Sequence, residues 1–271
     1  MSEKYLHRQE APFGDEVWEG IDKTVVGAAK SKLSGRSILQ IDGPYGVGLK
    51  TLASEDVQVE EKVVEGVCLC ASCPAPIAMI QSSFTLGVRD IASYEQSKVP
   101  LELGAAARAA ISCALQEDEL IFNGSKVLKL EGLLNSKKSQ SLKLGGWDEI
   151  GRAAKDIISA VTILDGAGFG GPYVLALSPK LYNLLFRIYP QGNATETEHI
   201  RQIASEGIIK SAAISEGGLV LNTGRQFASI VLGQDLMTGY VGLCGCSYEF
   251  NVIETVTLRL VRPEAICVLK Q

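Results

Sequence analysis

The apolar positions change period several times along the chain, and each change marks an element. Over residues 15–33 they recur at helical spacing. Asp15 and Glu16 stand at the start, Lys30 and Lys32 near the end and Gly35 just beyond, which suits the helix dipole and a glycine stop. This helix carries two apolar stripes: Val17, Trp18, Ile21, Val25 and Ala28 on one side, and Val26, Ala29 and Leu33 offset from them. A helix apolar on two sides needs two surfaces to touch. One is its own core; the other is a further part of that core, a neighbouring subunit or a docked peptide. Residues 42–46, Asp-Gly-Pro-Tyr-Gly, form a turn. From 57 to 86 the pattern is strand-like and broken by Pro74 and Pro76, which predicts an extended two-stranded excursion. A long hairpin does not bury its faces alone and must lie on something else.

Residues 100–122 predict a long helix rich in alanine (Ala105, Ala106, Ala107, Ala109, Ala110, Ala114), whose small side chains allow close approach. Another helix is predicted over 148–163, with Ile150, Ala154, Ile157 and Val161 on one face. Val174-Leu-Ala-Leu177 reads as a buried strand, and Ser178-Pro179 as an N-cap with proline opening a helix over 180–188. A polar loop at 189–199 runs into a short helix carrying Ile200 and Ile203, and strands follow near 208–214, 219–223 and 227–232. The strand over 248–261 is long against an average of about 5–6 residues and suggests a sheet spine. Its Phe250, Val252, Val256, Leu258 and Leu260 share a face interrupted by Glu254; Asn251, Thr255, Thr257 and Arg259 lie mostly on the other. The first ten residues are polar and read as a mobile tail. This order of elements is neither a doubly wound sheet nor a barrel.

Composition narrows the function classes. With 26 Lys and Arg against 31 Asp and Glu, the net charge of −5 argues against a nucleic-acid coat, which needs clustered cations. No apolar run reaches the roughly 18 residues of a membrane span, and the N-terminus has no apolar signal region. Seven cysteines in a long chain read as reduced thiols, so a cytoplasmic protein is expected.

The motifs that carry chemistry elsewhere are weak here. Gly166-Ala-Gly-Phe-Gly-Gly171 matches a dinucleotide fingerprint in letters but follows a predicted helix and precedes a predicted strand, the reverse of what the pyrophosphate needs. Glu196-Thr-Glu-His199 is a single E-x-x-H, whereas a di-iron bundle needs two. There is no G-x-S-x-G elbow. Cys68, Cys70 and Cys73, and Cys244 with Cys246, read first as small hydrophobes in a reducing cytosol, with a cross-link or a thiolate metal site as alternatives. No catalytic residue, no cofactor and no metal are expected.

In order and spacing, Trp18-x-x-Ile-Asp22, Gly35-Arg36, Gly43-Pro-Tyr-Gly46, Ser83-Phe-Thr-Leu86, Gly171-Pro-Tyr173, Leu232-Gly-Gln-Asp-Leu236, Gly239-Tyr240, Glu254-Thr255 and Pro263-Glu-Ala265 resemble the encapsulins, shell proteins of bacterial and archaeal nanocompartments. The resemblance implies a non-enzymatic chain of α+β class with the phage major-capsid (HK-97-type) fold. It implies an N-terminal tail and helix (1–35), a peripheral domain (36–56 and 87–146) with the 100–122 helix as spine, an extended loop (57–86), an axial domain (147–232) and return strands (233–271). It further implies sixty copies in a T=1 icosahedral shell. The cargo would be a ferritin-like protein or a dye-decolourising peroxidase held by its C-terminal peptide, serving iron storage or oxidative-stress defence. By position, Val26, Ala29, Leu33 and Arg36 form one wall of the peptide groove and Asp235, Leu236 and Tyr240 the other. Gln191, Gly192, Asn193, Ala194, Thr195 and Glu196 line the five-fold pore. Arg89 stands where some members carry a flavin-stacking tryptophan, so no flavin is expected. A virus or prophage major capsid protein is the alternative, and a soluble enzyme using the glycine loop is a weaker one.

Overall fold

The computed structural model describes residues 2–53, 56–58, 70–72, 74–190 and 193–271. Helix α1 (Asp15–Lys30) and a 3-10 turn (Gly35–Ser37) lead to β1 (Gln40–Asp42). Strands β2 (Thr51–Leu52) and β3 (Asp56–Gln58) pair with β5 (Ala75–Pro76) and β4 (Cys70–Ser72) respectively in two short ladders. Then come β6 (Ala78–Gly87), α2 (Val88–Ser97), α3 (Gly104–Asn123), β7 (Gln140–Lys143), α4 (Arg152–Gly166), β8 (Tyr173–Leu177), α5 (Pro179–Leu184), α6 (Glu196–Ile203), β9 (Gly207–Lys210) and β10 (Gly218–Asn222). A long hairpin, β11 (Ala228–Cys244) and β12 (Ser247–Leu260), precedes β13 (Ile266–Lys270). Among the described residues no helix is long and apolar enough to cross a membrane.

Two sheets organise these elements. One has the order β1-β11-β12-β6, with β1 parallel to β11 and the other pairs antiparallel. The other has the order β7-β13-β10-β8-β9. Every residue of β8 and β10 is buried, because side chains alternate between two cores. Val174 and Ala176 of β8 join a core with α1, α3 and the first sheet. Leu175 and Leu177 join a second core with α4, Trp147 and Ile200. A strand covered on both faces reads as an unbroken apolar run, which is why 174–177 is legible in sequence.

Several expectations are corrected. The first ten residues are held down: Leu6 is buried, its carbonyl accepts the Tyr240 amide at 2.8 Å, and the Arg8 guanidinium lies 4.1 Å from the Trp18 ring centroid while bonding Asp22 at 2.6 Å. Helix α1 stops at Lys30 with Ser31 as C-cap, and Gly35 serves close packing instead of a helix stop. The buried stripe runs Val17, Trp18, Ile21, Val25, Ala29, so Ala29 takes the inward place expected of Ala28. The excursion ends earlier than 86, since β6 pairs along β12 inside the first sheet. Ile150 precedes α4 and is exposed; Ala153, Ala154, Ile157, Ala160 and Leu164 form the buried face. The 180–188 helix is confined to α5, and the 227–232 strand continues to Cys244. On the second face of β12, Thr255 and Thr257 are buried, Asn251 is half-buried and Arg259 is exposed.

Gly43 shows how tightly the first sheet is closed. Its φ is +116°, and a β-carbon there would run into the Leu232 carbonyl oxygen, while the next residues hydrogen-bond to β11 through the Tyr45 amide and the Leu232 carbonyl at 3.0 Å. Gly43→Ala is expected to destabilise the chain by about 2–3 kcal/mol through strain and overpacking. Chemical denaturation would check it, and an unchanged midpoint would contradict the close approach.

Candidate functional site

The candidate site is built where the segment after α1 meets α3. Helix α3 is mostly small and apolar, yet Glu117 and Asp118 are both buried in it. Asp118 accepts the Ser34 and Gly35 amides, each at 2.9 Å, and the Ser34 hydroxyl at 2.5 Å; that hydroxyl also lies 2.7 Å from Ser211 Oγ. Burial raises the Asp118 pKa, and the three donated hydrogen bonds work against that rise. Gly35 fits because a β-carbon would stand only 3.1 Å from Ile121 Cδ1 and 3.2 Å from Asp118 Oδ1. The tripeptide Ser34-Gly35-Arg36 is thereby clipped to α3, and the clip aims Arg36 inward.

Arg36 is the hub. Its Nε and Nη2 donate to the two oxygens of Glu117 at 2.8 and 2.7 Å, a bidentate pairing. Nη2 also donates to Glu254 Oε2 at 3.1 Å, and Nη1 to Asp235 Oδ1 at 2.7 Å. Glu117 and Glu254 are fully buried, whereas the Asp235 side chain is 54% exposed. Asp235 reaches Arg36 because β11 is irregular here, its register against β12 shifting between Leu232 and Gln234 and again before Met237. Such bulges re-aim side chains. Burial opposes the charge of Arg36, but hydrogen bonding and attraction from Glu117 and then Asp235 outweigh it, so its pKa ends above the ordinary value. For Glu254, burial, then the charge of Glu117 and a hydrogen bond to it, push the pKa up to about 9 despite Arg36. Two fully buried carboxyls thus share one guanidinium, an environment that favours the neutral form of Glu254.

The expected groove residues fall into two groups. Val26 is exposed, Leu33 and Tyr240 are half-buried and Asp235 is exposed, so these four present surface. Ala29 and Leu236 are buried in the core and do not form a free wall. Arg36 has its three nitrogens engaged by the side chains of Glu117, Asp235 and Glu254, and so does not reach out to fix a bound polar group. Helix α1 packs against β11, so the elements that carry the two expected walls adjoin. Tyr240 belongs to an aromatic cluster with Phe13, Tyr248 and Phe250, at centroid separations of 6.0–6.1 Å. A cleft of about 530 Å³ lies at the N-terminal end of α1, lined by Arg8, Phe13, Trp18 and Asp22 among others.

Of the expected pore residues, Gln191 and Gly192 lie outside the described residues. Asn193 and Ala194 are exposed, and Thr195 caps α6 with a reciprocal capping box to Glu198. Glu196 is fully buried: it bonds Arg187 at 2.9 Å and the Gly151 amide at 2.6 Å, so it holds α6 to the second core and does not face a pore within this fold. Gly166–Gly171 does follow a helix and precede a strand. Cys68 and Cys73 lie outside the described residues, and Cys244 and Cys246 are exposed and free. Reading the chain in one dimension missed Glu117 and undervalued Glu254. Their signals were present as an acidic pair in an alanine-rich helix and one carboxyl on an otherwise apolar strand face.

The hub carries two expected outcomes. Arg36→Ala leaves the buried carboxyls without a counter-charge and should cost about 3–5 kcal/mol, read as loss of folded protein or a large fall in melting temperature. Glu254 has a folded pKa raised above its ordinary 4.5, so its contribution is complete below about 4.5 and is lost as pH rises toward about 9. Glu254→Gln, a stand-in for the protonated acid, should flatten that decline. Identical pH profiles for the two proteins would contradict the raised pKa of Glu254.

Residues 3–257 match a family model described as an encapsulating protein for peroxidase. The chain is 36% identical over 98% of its length to the type 1 encapsulin shell protein EncA of Myxococcus xanthus, covering 96% of that protein. It is 30% identical over 96% of its length to a diheme-cytochrome–encapsulin shell fusion protein of Kuenenia stuttgartiensis, covering 74% of it. A ferritin-like–encapsulin shell fusion protein of Pyrococcus furiosus is 27% identical over 77% of the chain. Among solved structures, a virus-like particle from Pyrococcus furiosus superposes with TM-score 0.75 at 22% identity, covering 94% of this chain and 100% of that one. The capsid of the myovirus XM1 superposes with TM-score 0.64 at 12% identity, covering 86% and 90%. These two likenesses establish the capsid-type fold, mixed in helix and sheet. The curated relatives are named as shell proteins, a structural role and not a catalytic one, and on the near full-length match this chain belongs to the encapsulin shell-protein family.

Proposed function

We propose that the chain assembles into a closed T=1 icosahedral shell of sixty copies in the cytoplasm and holds a cargo protein inside by the cargo's C-terminal peptide. The observation that carries this reading is the second apolar stripe of α1: Val26 and Leu33 keep exposed surface after the inward stripe is buried, and α1 packs on β11, the strand that carries the exposed Asp235 and the half-buried Tyr240. Apolar side chains of an extended peptide would lie against Val26, Leu33 and the Tyr240 ring. A donor group would meet Asp235, since Arg36 is already engaged. Arg36, Ala29 and Leu236 support the groove from behind. Weak capture at each of many sites retains a multimeric cargo through effective concentration.

In this assembly the first core with α3 as spine is the peripheral domain, the second core around α4 is the axial domain, and the segment between β1 and β6 is the extended loop lying on a neighbour. Asn193, Ala194 and Thr195 line the five-fold pore, with Gln191 and Gly192 as further candidates. A ferritin-like protein or a dye-decolourising peroxidase is the proposed cargo, in iron storage or oxidative-stress defence. The family's description as encapsulating a peroxidase and the relatives fused to ferritin-like and cytochrome domains support a redox cargo.

The test is cargo loading in the native host. Val26→Asp with Leu33→Asp places charge on the exposed stripe while leaving the buried stripe intact. Particles of unchanged mass with at least a tenfold lower cargo content per shell are expected by mass spectrometry. Unchanged loading would remove the groove from α1.

A further inference from the structure

Strands β11 and β12 are joined by a two-residue turn, Gly245-Cys246, with Cys244 paired to Ser247 across its base. Gly245 takes a φ of +61° and Cys246 has no positive φ, the pattern of a type II′ turn. The Cys246 carbonyl accepts the Val88 amide at 3.0 Å, which ties the turn to the first residue of α2. Both thiols are exposed and free. Two residues apart, their α-carbons lie within about 7 Å even in a straight chain, and a turn brings them closer. Cys113 and Cys267 are unlike them: both are buried, and burial pushes their thiols up to about 12 and about 11, with the charge of Glu254 adding at Cys113.

We propose that Cys244 and Cys246 form a clasp for one soft monovalent cation, Cu(I), held linearly between two thiolates. Each thiol releases its proton to water, two sulfur–copper bonds form and copper stays in the +1 state, so no electron is transferred. The donor set selects the ion. Residues 241–247, Val-Gly-Leu-Cys-Gly-Cys-Ser, contain no carboxylate or imidazole for a hard cation. Among the described residues no group of three or more His, Cys, Asp or Glu gathers, whereas structural zinc takes four ligands. Two-coordinate Cu(I) needs only the pair. With metal–sulfur bonds of about 2.3 Å the two thiolates of the clasp would stand about 4.6 Å apart. This site is independent of the cargo groove and revises the reading of these cysteines as inert.

The experiment is an anaerobic Cu(I) titration of the assembled, reduced protein against the chromophoric chelator bicinchoninate. Wild type is compared with Cys244→Ser, Cys246→Ser and the double variant, all retaining Cys68, Cys70 and Cys73. Light scattering first establishes equal particle mass. Wild type is expected to take up one more tightly held Cu(I) per chain than the double variant. Each single variant should lose that same equivalent, because one thiolate does not complete a linear site, and equimolar Zn(II) should not displace it. Identical titrations of wild type and double variant would overturn the clasp. Single variants that keep the extra equivalent would overturn it equally, by reducing the site to one cysteine.

Discussion

One guanidinium holds the capsid-type core of this chain together. Arg36 joins the segment after α1 to α3 through Glu117, to β12 through Glu254 and to β11 through Asp235. Removing any buried partner leaves an uncompensated group in a low-dielectric interior, so the four residues are fixed as a set. The neighbouring Asp118 does the complementary work by accepting backbone amides of Ser34 and Gly35. The two acids are adjacent on one helix. One orients the backbone and the other receives the side chain, which sets the exit direction of α1 relative to the sheet.

The central strands β8 and β10 are covered on both sides, whereas β6 at the edge of the first sheet buries one face and exposes the other. The five-stranded sheet divides two apolar cores, and the long β11–β12 hairpin spans the first sheet from the hub to the exposed Cys244–Cys246 turn. Phage capsids with 12–13% identity share this arrangement, so it does not by itself separate a nanocompartment from a virus. Sequence similarity to named encapsulin shell proteins over nearly the whole chain makes that separation. The exposed stripe of α1 is the local feature consistent with it.

Much of the fold was legible because its signals are periodic. The alanine-rich α3, the doubly buried β8 and the length of β12 all show in the one-dimensional pattern. The start of the chain was not, because Leu6 is a single apolar residue among polar ones and its docking depends on Tyr240 and Trp18 far along the chain. β11 was cut short at 232 because its bulged Gly233-Gln234-Asp235 breaks strand alternation. At the candidate site, position in the family picked out Arg36 and Asp235. Glu117 and Glu254 stand 81 and 218 residues from Arg36, and no local pattern links them. The burial of Ala29, Leu236 and Glu196 likewise depends on neighbours that periodicity does not identify.

The most direct measurement is electron microscopy of the purified protein with its mass by light scattering. Uniform closed particles near sixty times the 29.0 kDa chain are the expected result. A monomer or small oligomer across a range of salt and pH would contradict a shell built from this fold.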